Sequence, residues 1–122
     1  NADIKTTTVT VQKVWDQGEY DAFTSIVKYN GKYYISFREA KSHIFDENGK
    51  AEGKCCVIMS EDGVNWKMIA ALGKKDYDLR DPKLSIMPDG RLMMIMGASL
   101  YVDRELIGCY PQVSFCEDGE NF

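Results

Sequence analysis

A seven-residue turn motif occurs twice in this chain. Ser60–Trp66 (Ser-Glu-Asp-Gly-Val-Asn-Trp) returns as Cys116–Phe122 (Cys-Glu-Asp-Gly-Glu-Asn-Phe), with the same Glu-Asp-Gly core and an aromatic residue at the end. The two copies lie 116 − 60 = 56 residues apart. Self-similarity at such a period indicates a repeated supersecondary unit, as in solenoids and propellers. The repeat therefore limits the fold to architectures built from similar units.

Short strand patterns separated by turn residues fill each unit, and no segment has a sustained helical period. Asn30-Gly31 is a strong hairpin signal because both central residues of a type I′ turn need positive φ. The predicted strands are Ala22–Tyr29, Lys32–Arg38, Lys54–Ser60 and Trp66–Leu72 in the first unit, Lys83–Met87, Arg91–Met96 and Cys109–Phe115 in the second, and Val9–Trp15 before both.

These patterns predict a single all-β region over 1–122, made of four-stranded antiparallel meanders of the size of propeller blades. Residues 16–72 would form a first blade and 79–122 a second, incomplete blade. Residues 1–15 would supply a strand that pairs with the last blade of a full ring. The alternative is an unrelated all-β sandwich. Asn1-Ala2 could be the remnant of an expression tag.

Composition excludes several classes of partner. The net charge is −4 and the isoelectric point about 5.0, so a nucleic-acid partner is not expected. No apolar run is long enough for a membrane helix. The four cysteines have neither the pattern of a disulfide framework nor the spacing of a zinc site, and free, mostly buried thiols are expected. No metal and no other cofactor is predicted.

Both turns resemble the Asp-box of sialidases, Ser-x-Asp-x-Gly-x-x-Trp, in a form one residue shorter. Phe37-Arg38-Glu39-Ala40 resembles a strand end of the same enzymes, although Ala22–Ile26 lacks the Arg of their Arg-Ile-Pro motif. Leu79–Leu84 (Leu-Arg-Asp-Pro-Lys-Leu) resembles the Arg-Asp-Pro motif of invertase-like glycosidases. The resemblance implies two N-terminal blades of a five- or six-bladed, sialidase-like β-propeller.

The resemblance also implies a function. It favours a fragment of a sialidase-like glycoside hydrolase that acts on glycans, in the extracellular space or the periplasm. The fragment alone would be inactive, because a glycosidase site draws residues from around the ring. Two alternatives stay open: an invertase- or arabinanase-like glycosidase with Asp81 as the transition-state stabiliser, and a non-catalytic carbohydrate-binding or interaction propeller.

Strand topology predicts which end of the blades carries chemistry. In a meander, the turns between strands 1–2 and 3–4 share one end, and the remaining connections share the other. The Asp-box residues would be structural at the first end, because an Asp side chain accepts hydrogen bonds from turn amides. These residues are Ser60, Asp62, Gly63, Trp66, Asp118, Gly119 and Phe122. The longer loops at the opposite end are Gln17–Asp21, Arg38–Gly53, Gly73–Asp81 and Gly97–Gly108.

The candidate site residues come from these longer loops. Asp81 and Glu39 are the predicted catalytic carboxylates, since glycoside hydrolysis uses two. Arg38 and Arg80 would bind an anionic or hydroxyl-rich sugar, because a guanidinium offers planar bidentate donors. His43 and Asp21 would be further substrate contacts. The opposing interpretation is that the Arg–carboxylate neighbours are solvated charges or ion pairs between blades, and that His43 is a surface residue.

Two blades alone would leave sheet faces and edges uncovered, which favours association. The fragment is therefore predicted to self-associate, as three copies that complete a six-bladed ring or as a swapped dimer.

Overall fold

The computed structural model describes residues 3–122, so the expectation for Asn1-Ala2 lies outside the described residues. The described chain is all-β, with antiparallel strands in two sheets and no helix. The strands are β1 (Tyr20–Tyr29), β2 (Lys32–Ala40), β3 (Lys54–Ser60), β4 (Lys67–Leu72), β5 (Asp78–Ile86), β6 (Leu92–Val102) and β7 (Glu105–Cys116).

The first sheet has the order β1-β2-β3-β4 and the second β5-β6-β7, so each is a meander of sequential neighbours. Asn30 and Gly31, both with positive φ, connect β1 to β2, as a type I′ turn requires. The β3–β4 and β5–β6 turns lie at the same end of the sheets as the β1–β2 turn, and β7 also ends there. We call this the turn end and the opposite one the loop end.

The loop connection predicted at Gly97–Gly108 is wrong. β6 continues to Val102, and a tight turn at Asp103 and Arg104 leads directly into β7. Both turn residues have positive φ, at 51° and 65°, although neither is Gly. The apolar run Leu100–Val102 favours continued pairing, so the strands use a two-residue turn.

Val9–Trp15 forms no strand within residues 3–122, and its pairing with the last blade of a full ring stays a prediction. A strand needs a partner edge for its backbone groups, and within residues 3–122 this segment has none. Val14 and Trp15 instead pack against Phe37, Cys56 and Ile58 on the outer face of the first sheet. Val9 and Val11, the other apolar residues of the segment, are exposed.

The main core lies between the two sheets. The first sheet contributes Tyr34 and Val57, and the second contributes Leu92 and Met94, all at most 1% exposed. The outer face of the second sheet is different: Ile95 is 43% and Val113 55% exposed, and the two pair across β6 and β7. One apolar sheet face thus remains open to solvent.

A further element repeats at the start of each sheet. The register of β1 against β2 shifts between Ala22 and Ser25, and that of β5 against β6 shifts between Arg80 and Lys83. Each shift is a β-bulge that contains a non-glycine residue of positive φ, Phe23 at 60° and Asp81 at 51°. These two residues are 81 − 23 = 58 positions apart, close to the period of the turn motif.

The bulged strands are neighbours in space. Lys83 donates from Nζ to the carbonyl of Thr24 at 3.2 Å, and the amide of Leu84 donates to Ser25 Oγ at 3.2 Å. Ser36 on β2 donates to the carbonyl of Pro82 at 2.9 Å. β5 therefore lies along the inner face of the first sheet, and this contact places the two bulges side by side near the loop end.

Candidate functional site

A buried ion cluster joins the two sheets at the loop end. Arg38 lies near the end of β2, Asp78 begins β5, and neither side chain is exposed. Nη2 of Arg38 lies 2.7 Å and Nε 3.1 Å from Oδ1 of Asp78, and the amide of Gly53 donates to the same oxygen at 2.6 Å. Nη1 of Arg38 donates to the carbonyl of Ser42 at 3.0 Å. These contacts fully desolvate both charges and fix their positions.

Arg80 is the partly exposed member of the cluster, which we call the arginine cluster (Arg38, Asp78, Arg80). Its Nε lies 2.7 Å from Oδ2 of Asp78 without hydrogen-bond alignment, so the contact is ionic. Its Nη2 donates to the carbonyl of His43, and 16% of the side chain remains exposed. Arg80 is therefore oriented by Asp78 while part of its side chain stays exposed.

Phe23 lies beside Arg80 and His43 lies between Phe23 and Tyr20; we call these three side chains the aromatic rim (Tyr20, Phe23, His43). Tyr20 Oη and His43 Nδ1 are 2.8 Å apart and share a hydrogen bond. The Phe23 ring centre lies 5.9 Å from that of His43, and the Arg80 guanidinium carbon lies 5.8 Å from the Phe23 ring centre. The apolar ring surface of the rim thus lies next to the Arg80 cation and to two polar atoms, Tyr20 Oη and His43 Nδ1.

Asp81 is exposed and occupies the β5 bulge beside Arg80 in sequence. Its φ of 51° is unusual for a non-glycine residue, and more so for one followed by proline. Pro82 is buried and anchors the bulge through its carbonyl, which accepts from Ser36. Strained backbone of this kind clusters at functional sites, so the geometry of Asp81 makes it a candidate functional residue.

Glu39 and Asp21 do not join the arginine cluster. Successive side chains of a strand point to opposite faces, and Arg38 occupies the inner face of the first sheet. Glu39 pairs with Asp21 across β1 and β2, and the two side chains crowd Gly18 together on the outer face. The structure therefore places Arg38 with Arg80 but separates the two predicted carboxylates, Glu39 and Asp81, by the first sheet.

The two Asp-box turns have the same hydrogen-bond pattern at the turn end. Oδ1 of Asp62 accepts from the amides of Val64 and Asn65 at 2.9 and 2.8 Å, and Oδ1 of Asp118 accepts from the amides of Glu120 and Asn121 at 2.9 Å. The pKa of each Asp is far below its usual value, chiefly because the Asn65 amide bonds Asp62 and the Asn121 side chain bonds Asp118. Gly63 and Gly119 have φ near 77°.

The remaining Asp-box side chains tie these turns to the rest of the molecule. Ser60 donates to Asp62 and accepts from the Gly63 amide, whereas the equivalent Cys116 makes a weaker contact of 3.6 Å with Asp118. Trp66 packs on the outer-face cluster, and Phe122 packs against the core between the sheets. The hydrogen bonds and packing contacts of the Asp-box side chains thus join parts of the same chain.

One cavity lies at the turn end. It measures about 300 Å³ and is lined by Met59, Asp62, Asn65 and Trp66 among others. The Asp62 oxygens already accept bonds from Ser60, Val64 and Asn65, so this cavity offers few free polar atoms. Cavities of about 290 Å³ beside Asp76 and Tyr101 and of about 120 Å³ beside Lys41 and Ser42 lie at the loop end. Cavity volume therefore does not separate the two ends, and the arginine cluster favours the loop end as the candidate site.

Sequence reasoning missed Tyr20 and Phe23, and it placed Asp78 in a loop of the loop end without assigning it a role. Asp78 and Arg80 are two residues apart on one strand and project to the same side, which is a signal that could have paired them. Tyr20 and Phe23 carry no comparable signal, because their meeting with His43 depends on the β1 bulge and on the path of the loop after β2.

The cysteines are free. Cys55, Cys56 and Cys116 are buried and Cys109 is exposed. Burial raises the pKa of the Cys55 and Cys56 thiols to about 12, so both are protonated near neutral pH. Across residues 3–122, no group of three or more His, Cys, Asp or Glu side chains is arranged to hold a metal ion.

No helix in the described part of the chain is long and apolar enough to cross a membrane. Comparison with known proteins adds no assignment: no protein-family model matches the chain, and no curated protein matches it.

Proposed function

We propose that this chain is a carbohydrate-binding part of a sialidase-like glycoside hydrolase, and that its loop end contacts the sugar. One observation carries the proposal: the buried Arg38–Asp78 pair holds Arg80 at the surface of the loop end, next to the exposed Asp81. A guanidinium held in place by a second ion pair is preorganised to receive a carboxylate or paired hydroxyl groups. The resemblance of the Asp-box and Arg-Asp-Pro motifs supplies the enzyme class.

We also propose that the two sheets are successive blades of a propeller. Equivalent positions of β2 and β6 differ by 93 − 34 = 59 residues, so the inward-facing Tyr34 and Ser36 correspond to the outward-facing Met93 and Ile95. The inner face of the first sheet thus corresponds to the exposed outer face of the second. Such head-to-tail packing repeats without reversing direction, as successive blades of a ring require.

The residues divide into a positioning group and a contacting group. Arg38 has no exposed surface and all its observed contacts go to Asp78 and Ser42, so it positions rather than binds. Arg80 and Asp81 are the proposed sugar contacts. Most glycoside hydrolases place two carboxyl groups on one glycosidic bond, whereas Glu39 faces the other side of the sheet; sialidases use a Tyr nucleophile, and no Tyr of this chain is assigned that role. This chain alone is therefore expected to bind sugar without hydrolysing it.

Arg80→Ala is expected to weaken sugar binding at least 10-fold, about 1.4 kcal/mol, because a charge-assisted contact is lost. Binding of N-acetylneuraminic acid to the full chain is measured by NMR titration. Arg91→Ala is the matched control, since Arg91 is a partly exposed arginine in an ion pair with Asp89 at the turn end. Equal affinity in the Arg80 and Arg91 variants, with both folded by circular dichroism, would contradict the proposed site.

The strained backbone of Asp81 favours one second candidate, the invertase- or arabinanase-like glycosidase. In that family the Asp of the Arg-Asp-Pro motif stabilises the transition state, and here it is the exposed residue that bears the unusual φ. A neutral arabino- or fructo-oligosaccharide in the same titration separates the candidates. Preference for the neutral sugar, lost in Asp81→Asn, would favour the second candidate over the first.

Self-association remains a prediction, and the exposed outer face of the second sheet supports it. The equivalent inner face of the first sheet is covered by β5, so we propose that a second copy covers the face around Ile95 and Val113. Light scattering is expected to show a dimer or larger assembly, and Ile95→Lys should return it to monomer. Val64→Lys, an exposed turn position, is the control. A monomeric unaltered chain would refute this proposal.

A further inference from the structure

Phe23 has a strained backbone at the β1 bulge. A bulky residue with φ of 60° is an outlier, and it lies inside β1, where its neighbours continue the strand. A β-bulge redirects a side chain out of the normal alternation of a strand. Gly, which would accept this φ without strain, is not the residue present. The position therefore keeps an aromatic ring despite an energetic cost.

The bulge directs the Phe23 ring toward the loop end. The ring lies 5.8 Å from the guanidinium carbon of Arg80 and 5.9 Å from the His43 ring centre, and it is not part of the core between the sheets. Tyr20 adds an edge-on contact to the same imidazole, at 5.7 Å between ring centres. Half-buried and exposed side chains make up this group, so it presents apolar surface and polar atoms together to solvent.

A pyranose ring has complementary chemistry. One of its faces carries mainly C–H groups, which are attracted to the negative face of an aromatic ring, and its edge carries hydroxyl groups. Arg80 donates hydrogen bonds only, whereas the Tyr20–His43 pair offers both a donor and an acceptor. Apolar surface with a few well-placed polar groups is the usual composition of a small-molecule site.

We propose that the aromatic rim is a sugar subsite: Phe23 stacks on the apolar face of a pyranose, while Arg80 and the Tyr20–His43 pair bind its edge. This inference rests on the proposed function and adds the binding mode and two residues, Tyr20 and Phe23, that the motifs do not assign. It also accounts for the bulge that the two units share, since the β1 bulge presents the ring and the neighbouring β5 bulge presents Asp81.

Phe23→Gly tests the subsite without harming the fold, because Gly relieves the strained φ while it removes the ring. Methyl β-D-galactopyranoside and N-acetylneuraminic acid are titrated into the full chain and followed by NMR. The unaltered chain is expected to shift the sugar C–H signals upfield, as stacking on a ring does. Phe23→Gly should abolish that shift and weaken binding at least 10-fold, with thermal stability equal or higher.

Phe115→Ala is the matched control, because Phe115 is also an aromatic residue beside an arginine. Its ring centre lies 4.2 Å from the guanidinium carbon of Arg91, at the turn end. The variant should bind both sugars like the unaltered chain. Loss of binding in Arg80→Ala but not in Phe23→Gly would overturn the subsite and leave the proposed function standing. Failure of the unaltered chain to bind either sugar would overturn both.

Discussion

Asp78→Ala is expected to destabilise the protein by about 3–5 kcal/mol, the cost of breaking a buried ion pair by removing one partner. Arg38 has no exposed surface, and two of its nitrogens depend on Oδ1 of Asp78. Without that carboxylate the guanidinium keeps only the carbonyl of Ser42 as an observed partner. The amide of Gly53 would lose its acceptor at the same time. A buried Arg38 guanidinium without a carboxylate partner destabilises the folded form directly.

Urea unfolding, followed by the fluorescence of Trp15 and Trp66, measures this effect. Asp89→Ala is the matched control, since Asp89 forms an exposed ion pair with Arg91 and little change is expected there. Asp78→Asn should fall between the two variants, because it removes the charge but keeps an acceptor for Gly53. An Asp78→Ala variant as stable as Asp89→Ala would show that the cluster does not hold the sheets together.

Turns were the most predictable part of the fold because their chemistry is local. Asn30-Gly31 and both Glu-Asp-Gly motifs predict turns from the φ that Gly permits, and the chain turns at each. The Asp103-Arg104 turn has no such residue, and its positive φ values depend on the pairing of the long strands that it joins. Val9–Trp15 alternates but has no partner edge within residues 3–122, and it forms no strand there.

The sequence predicted the location of the candidate site but not the contacts that its residues make. Meander topology places Arg38 and Arg80 at one end of the sheets, and the structure places them together around Asp78. Burial of Arg38 depends on a partner 78 − 38 = 40 residues away in another sheet, which no local pattern reveals. The opposite orientation of Glu39 follows from strand alternation alone, so that separation could have been predicted from its position next to Arg38.

Gly53→Ala is expected to destabilise the protein by about 3 kcal/mol, at the upper end of the cost of overpacking a buried site. An added Cβ would overlap Nε of Arg38 and Oδ1 of Asp78, two atoms that hold each other in place. Neither side chain can move away without breaking the ion pair. Gly73→Ala is the matched control, because its nearest atom, Cγ of Lys54, lies at an ordinary contact distance of 3.6 Å.

The two glycine variants also connect the buried cluster to the surface site. The methyl group added by Gly53→Ala would displace Asp78 and so release Nε of Arg80, which lies 2.7 Å from the second oxygen of that carboxylate. Gly53→Ala should therefore weaken sugar binding under conditions where the variant is still folded, whereas Gly73→Ala should change neither stability nor binding. Reduced stability with unchanged affinity would mean that Arg80 keeps its position without Asp78. In that case the loop after β2, through the carbonyl of His43, would be the element that orients Arg80.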